Sequence, residues 1–491
     1  MGIVLKQSAT NTVMTFIGFA IGAVNALFMY THFLGEDYYG LTAFLLSSAN
    51  IVMPLMAFGI QNTLVKFYTE HESEDDKSRF LNFVLVLPMV LIVPIFIILF
   101  GFYDSLASLV SQENPIIYDY AWIIPLIGLF MGYFEIFYAW VKVHLKSVFG
   151  NFIKEVLLRV CISLFLFAVY FNWITKIQFV YSLVFIYAAM MFLMAIVAFK
   201  VRKPQFHLKF PKEKREIIIY SSFIIFSSSI AMLLLDIDKF MIGQYIPLKE
   251  AAYYSVAIFI ALTISVPMRA MHQITHPITT DLMVKNKHDE LNDLYKKTSI
   301  TLQVVGGFIM VCILANIQDV YALLPEKYSG GIAVVFIISL SKFFDLMLGN
   351  NNSIIFNSNY YRTVLGLGLG LVLVTVSLNM YFIPNFGIEG AAFATLISIG
   401  LYSLAKFMFV VFKMNLFPFT NKTLVSLAII AFTFALFYFW SFPFHPILNI
   451  LLKSGLIALF YWFLNYQLKT SKDINEFIYS FFSKQAVAKY Y

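Results

Sequence analysis

Apolar residues along this chain come in long unbroken runs rather than in alternation. The stretches 80–102 and 177–199 are apolar on every helical face, whereas a helix at the surface of a soluble protein is apolar along one stripe only. Each run is about 17–25 residues long, the length a helix needs to cross roughly 30 Å of hydrocarbon. A membrane barrel would instead alternate polar and apolar positions over about ten residues. The runs predict helices near 11–33, 39–63, 80–103, 116–141, 152–171, 177–199, 216–245, 250–275, 299–317, 331–348, 362–383, 388–412, 423–441 and 446–467. The expectation is an all-α integral membrane protein of about fourteen transmembrane helices. The longest polar stretches, 200–216 and 281–298, are too short to form an extramembrane domain.

Composition agrees with this pattern. Of 491 residues 60% are hydrophobic and 12% charged, about half the charged share of an ordinary soluble domain. The two cysteines, Cys161 and Cys312, both fall inside apolar runs, which excludes a disulfide framework and a thiolate metal site. The opening MGIVLKQSATNT has one Lys and no small-residue cleavage site after it, so an uncleaved first helix is expected.

The formal charge of +7 would suggest nucleic acid in a soluble chain, but here it sorts by topology. Lys and Arg collect on the cytoplasmic side of short loops. With the N-terminus inside, the inner loops and tails hold Lys6; Lys66, Lys77 and Arg79; Lys142, Lys146 and Lys154; Lys200, Arg202, Lys203, Lys209, Lys212, Lys214 and Arg215; Lys285, Lys287, Lys296 and Lys297; Arg362, Lys413 and Lys422; and Lys469, Lys472, Lys484 and Lys489. The outer loops hold only Lys176, Lys249 and Lys327. An even number of spans with both ends in the cytoplasm is therefore expected, with membrane lipid and no nucleic acid as surroundings.

An internal repeat organises the helices. The second begins GEDYYGL (35–41) and continues MPLMAF (53–58), and the eighth begins EAAYYSV (250–256) and continues VPMRAM (266–271). The tracts lie six helices apart, so the halves share one orientation, as in a parallel repeat about an axis along the membrane normal; chance likeness between apolar helices is the alternative. The repeat predicts an N-lobe (1–199), a basic linker (200–216), a C-lobe (217–412) and two further helices with a tail (413–491). Transporters of that build bind substrate between bundles and open alternately to either side. Pro54 and Pro267 interrupt matching helices, each removing one backbone hydrogen bond; they are either hinges or static kinks.

Charged residues within the spans narrow the candidate chemistry, because an ion at mid-bilayer costs roughly 3–10 kcal/mol unless partnered or hydrated. The cations are Arg159, Lys239, Arg269, Lys342, Lys406 and Lys453; the acids are Glu135, Glu155, Asp236, Asp238, Asp345 and Glu389. Asp236 with Lys239, and Lys342 with Asp345, share a helix face at a three-residue spacing that permits pairing. Arg269 has no acid within a turn and stands where the first half has Met56. With Arg159, Lys239 and Lys342 it is a candidate for holding an anionic head group, since guanidinium grips phosphate oxygens bidentately; the alternative is that Arg269 snorkels to the interface. His272 and His276 stand four apart without a third ligand near, so no metal site is expected. No Walker motif, zincin motif or nucleophile elbow occurs, and no cofactor is expected. Transport then draws on H+ or Na+, for which Asp236, Asp238 and Asp345 are candidates, or on a concentration difference.

Three stretches carry a resemblance. GFAIGAVNALFMYTHFLGEDYYGL (18–41), DIDKFMIGQYIPLKEAAYYSVA (236–257) and IPNFGIEGAAFATLIS (383–398) resemble bacterial Wzx-type O-antigen and polysaccharide flippases, members of the multidrug/oligosaccharidyl-lipid/polysaccharide (MOP) exporter superfamily. The resemblance implies a two-lobed, fourteen-helix fold in the bacterial inner membrane. It also implies translocation of undecaprenyl-diphosphate-linked oligosaccharide to the periplasmic leaflet, cations in the cavity, and polysaccharide polymerase or assembly proteins as neighbours. Lipid II flippases of the superfamily are similar but carry arginines on their first two helices, whereas residues 11–63 here hold no Lys or Arg. A drug or metabolite antiporter is the rival within transport. A membrane polymerase or glycosyltransferase, which usually needs a large outer loop, is the rival outside it.

Overall fold

A computed structural model of the chain describes residues 2–71, 73–144, 146–204, 210–358 and 360–476. Lys209, Lys484 and Lys489 lie outside the described residues. The principal helices are α1 (Gly2–Val24), α2 (Glu36–Ala57), α3 (Ile60–Phe67), α4 (Glu74–Gly101), α5 (Ile123–Val143), α6 (Leu158–Tyr170), α7 (Lys176–Val201), α8 (Lys214–Tyr245), α9 (Leu248–Leu262), α10 (Val266–Val284), α11 (His288–Ala315), α12 (Ile332–Met347), α13 (Asn351–Phe356), α14 (Tyr361–Met414), α15 (Asn421–Tyr438) and α16 (Pro446–Gln467). Eleven of the described helical stretches are long and apolar enough to cross a membrane. The chain is a multi-pass membrane protein.

The longest stretch is two spans. A straight helix of 54 residues would run about 80 Å, more than twice the hydrocarbon thickness. Inside α14, Gly387 breaks the helix with φ 61° and ψ −141°, a conformation that only glycine adopts without strain, and Pro384 stands just before it. With this division, and with the helical stretches 147–170 and 214–245, about fourteen spans result.

Helix ends depart from the apolar runs where polar turns extend a span. α4 begins six residues before the predicted 80, because the Ser73 hydroxyl accepts from the Asp76 N–H at 3.0 Å and Glu74, Asp75 and Asp76 complement the N-terminal dipole. α7 starts on a capping box of Thr175 and Gln178. The predicted helices 39–63 and 250–275 are each interrupted. Phe58 and Gly59 take left-handed conformations between α2 and α3, four residues after Pro54, and a 3₁₀ turn over Thr263–Ser265 precedes Pro267 in the first turn of α10.

Two compact units divide the chain: residues 1–255 with 379–387, and 256–378 with 388–491. By contacts, α8 thus falls in the first unit, although the repeat placed it in the C-lobe.

In the first unit α5 packs on α2 and α7, and α2 also on α8, around Phe67, Phe80, Tyr133, Trp140 and Met194. Lipid tails are as apolar as leucine, so close packing rather than burial holds such helices together. Glycines permit it. A Cβ on Gly40 would meet the Leu248 carbonyl at 1.9 Å, and one on Gly18 the Glu155 carbonyl at 2.2 Å.

In the second unit α11 packs on α12 and α15, and buried polar bonds fasten the last helices. Gln303 donates to the Thr423 carbonyl at 3.0 Å, Asn449 to Asp319 at 2.7 Å, and Lys453 to the Ala315 carbonyl at 2.6 Å. Outward-facing Phe185, Leu373, Phe412 and Leu459 are exposed, a surface that only a bilayer satisfies.

Candidate functional site

Polar side chains gather within the apolar helices of each unit. In the first, α8 carries Asp236, Asp238 and Lys239. Asp236 is buried; Lys239 reaches its Oδ1 at 3.0 Å, and Asn50 of α2 donates to its Oδ2 at 3.1 Å. Asp238, also buried, accepts from the Tyr254 hydroxyl at 2.6 Å and from the Asn379 amide at 2.8 Å. Two carboxylates two residues apart, and so on opposite faces of one helix, are thereby tied to different partners. Arg159, at the start of α6, pairs with Glu155 at 2.8 Å, and its backbone carbonyl accepts from Asn25 at 3.0 Å.

In the second unit the cluster joins α10, α12, α13 and α14. The Lys406 side chain is 1% exposed. Its ammonium bonds Asp345 and the Asn352 side-chain oxygen, each at 3.1 Å, and lies 4.3 Å from the Tyr402 ring centroid. Ser403 adds a longer bond to Asp345 at 3.4 Å. Asp345 is thus paired with Lys406, one helix away; Lys342 stands three residues before Asp345 on the same helix and is partly buried.

Beside this pair lies a cavity of about 520 Å³ lined by Met268, His272, His276, Asn352, Ser353 and Phe356 with Pro277. Arg269 is exposed and, among the described residues, has no carboxylate partner. It shares a face of α10 with His272 and His276, since positions three, four and seven apart lie one above another on a helix.

Of the residues singled out from the sequence, Asp236 and Lys239 come together, and Arg159 pairs with Glu155. Within the second unit, Asp345 meets a cation 61 residues downstream. The neutral partners Asn50, Tyr254, Asn352 and Asn379 were not singled out. Their only signal in the sequence is an amide or hydroxyl inside an apolar run, which local spacing cannot connect.

The family model described as polysaccharide biosynthesis protein matches residues 4–283, more than half of the chain. The chain belongs to that family. No curated protein sequence matches this polysaccharide biosynthesis protein. Among solved structures, its fold is similar to the lipid II flippase MurJ in an inward closed conformation, 14% identical, with a TM-score of 0.72 over 93% of this chain and 99% of that one. It is also similar to an inward-facing multidrug resistance MATE family transporter of the MOP superfamily, 12% identical, with a TM-score of 0.61 over 81% and 95%. A MOP superfamily transporter from Pyrococcus furiosus, 14% identical, gives 0.56 over 84% and 96%. The fold of this polysaccharide biosynthesis protein is therefore that of MOP transporters and flippases.

Proposed function

We propose that the protein is a flippase that moves undecaprenyl-diphosphate-linked oligosaccharide, the repeat unit of O-antigen or another surface polysaccharide, from the cytoplasmic to the periplasmic leaflet by alternating access. It would sit in the bacterial inner membrane with both termini cytoplasmic, beside the polymerase and assembly proteins that consume its product. The observation that carries this reading is Arg269: within a span, exposed and lacking a carboxylate among the described residues, in a chain of a polysaccharide biosynthesis family. A guanidinium three residues from the end of its span, with no carboxylate among the described residues to hold it, is free to take an anion, and a diphosphate offers bidentate acceptors. Arg159 and Lys239 hold internal carboxylates; they and Lys342 are secondary candidates. Pro54 and Pro267, each beside a helix interruption, are the proposed hinges.

Lipid II is not the proposed substrate, because residues 11–63 hold no Lys or Arg. Asp236, Asp238 and Asp345 are the carboxylates proposed to carry a coupling H+ or Na+. Deletion of the gene, followed by analysis of lipid-linked intermediates, tests the reading. Loss of surface polysaccharide with diphosphate-linked oligosaccharide trapped facing the cytoplasm supports it; normal surface glycan together with new drug sensitivity favours an ion-coupled antiporter of the same superfamily instead.

A further inference from the structure

The cavity between α10 and α13 is furnished unlike a phosphate site. None of its lining residues is Lys or Arg, and the nearby Lys406 ammonium is covered and already bonded to Asp345 and Asn352. What the cavity offers is a set of neutral donors and acceptors beside one ring. Lys406 holds the Asn352 oxygen at 3.1 Å, which orients the amide and leaves its Nδ2 donors without a protein partner among the described residues. Asn357 is oriented by Thr280, which donates to its oxygen at 3.0 Å. Its amide lies 3.4 Å from His276 Nδ1, so that nitrogen accepts and Nε2 is the N–H left to donate. His272 Nδ1 lies 3.3 Å from the Ser353 hydroxyl. Phe356 is 52% exposed, a free aromatic face on the wall.

Hydroxyl groups in many directions with one apolar face describe a pyranose ring, and about 520 Å³ is within the range of small-ligand sites. We infer that this cavity holds the saccharide unit attached directly to the phosphate, with Arg269 holding the phosphate itself; the inference rests on the carrier reading and names a subsite within it. The order of groups along α9 and α10 supports it. From the apolar run 251–262 outward come Arg269, then His272 and His276, then the polar turn at 285–287. A lipid-linked sugar lies in a leaflet in that same order of prenyl chain, phosphate and sugar, and Arg269 and His276 are about 10 Å apart along the helix axis.

The test uses the purified full-length protein in detergent and measures binding of undecaprenyl diphosphate, bare or bearing glucose, galactose, N-acetylglucosamine or N-acetylgalactosamine. At least one glycosylated carrier should bind the wild type at least about tenfold more tightly than the bare carrier, since several hydrogen bonds are added. In the double variant His276→Ala/Phe356→Ala that ratio should fall to about one, while Phe356→Tyr retains it; both side chains are exposed, so the core is undisturbed. A ratio of one for every carrier in the wild type, or an unchanged ratio in the double variant, overturns the saccharide subsite while leaving the flippase reading intact. Failure of the bare carrier itself to bind overturns the carrier reading, and this one with it.

Discussion

Removing the Lys406 ammonium isolates the energetics of the second cluster. Lys406→Met keeps the bulk and the apolar stem but leaves Asp345 without its ion-pair partner at 3.1 Å and Asn352 without its donor. Stripping one member from a buried pair costs about 3–5 kcal/mol, because the remaining charge is uncompensated. The Asp345 side chain keeps 25% of its exposure and Lys342 stands three residues before it on the same helix, which together place the cost near the lower bound, about 3 kcal/mol. Unfolding entropy of about 2.1 cal/mol/K per residue, over 491 residues, gives roughly 1 kcal/mol/K and a fall in melting temperature of about 3 °C. If unfolding is confined to one of the two units, the shift is about twice that. The double variant Lys406→Met/Asp345→Leu should recover most of the loss, since exchanging a buried pair for apolar groups is close to neutral. Thermal unfolding in detergent, read by tryptophan fluorescence, measures both. A single variant as stable as wild type, or a double variant no better than the single, would refute the reasoning.

Other expectations follow from individual contacts. Gly40→Val should abolish the folded monomer peak in size-exclusion chromatography, because even a Cβ there would lie 1.9 Å from the Leu248 carbonyl oxygen, a backbone atom that cannot step aside. Gly387→Ala should lower stability by about 1–3 kcal/mol, since φ is 61°; an unchanged melting curve would show that the break relaxes freely. Asp238→Asn keeps the shape while removing the charge that Tyr254 and Asn379 address, and should abolish any dependence of transport on a Na+ or H+ gradient; retention of that dependence would remove Asp238 from coupling.

Much of the fold was legible because the bilayer sets helix length. The run 446–467 and the helix Pro446–Gln467 coincide, and 177–199 differs from Lys176–Val201 by two residues at most. Legibility failed where helix continues outside hydrocarbon, as in the polar first turns of His288–Ala315, and where two left-handed residues break a span, as at Phe58 and Gly59. In those places hydropathy is silent and hydrogen bonding or φ decides. The candidate site divides the same way. Asp236 and Lys239 are local, so helical spacing alone brings them together. Asp345 finds Lys406, and Asp238 finds Asn379, through contacts 61 and 141 residues apart, which no local pattern contains. The cavity beside Asn352 arises from α10 and α13 meeting, and neither segment announces it alone.

The flippase reading is tested most directly by reconstituting the purified protein into vesicles loaded with undecaprenyl-diphosphate-linked oligosaccharide in one leaflet and following its appearance in the other. The account predicts movement with the wild type and a reduction of at least about tenfold with Arg269→Ala, the loss of one charge-assisted phosphate contact, at equal protein incorporation. No movement by the wild type, or equal movement by both proteins, would contradict it.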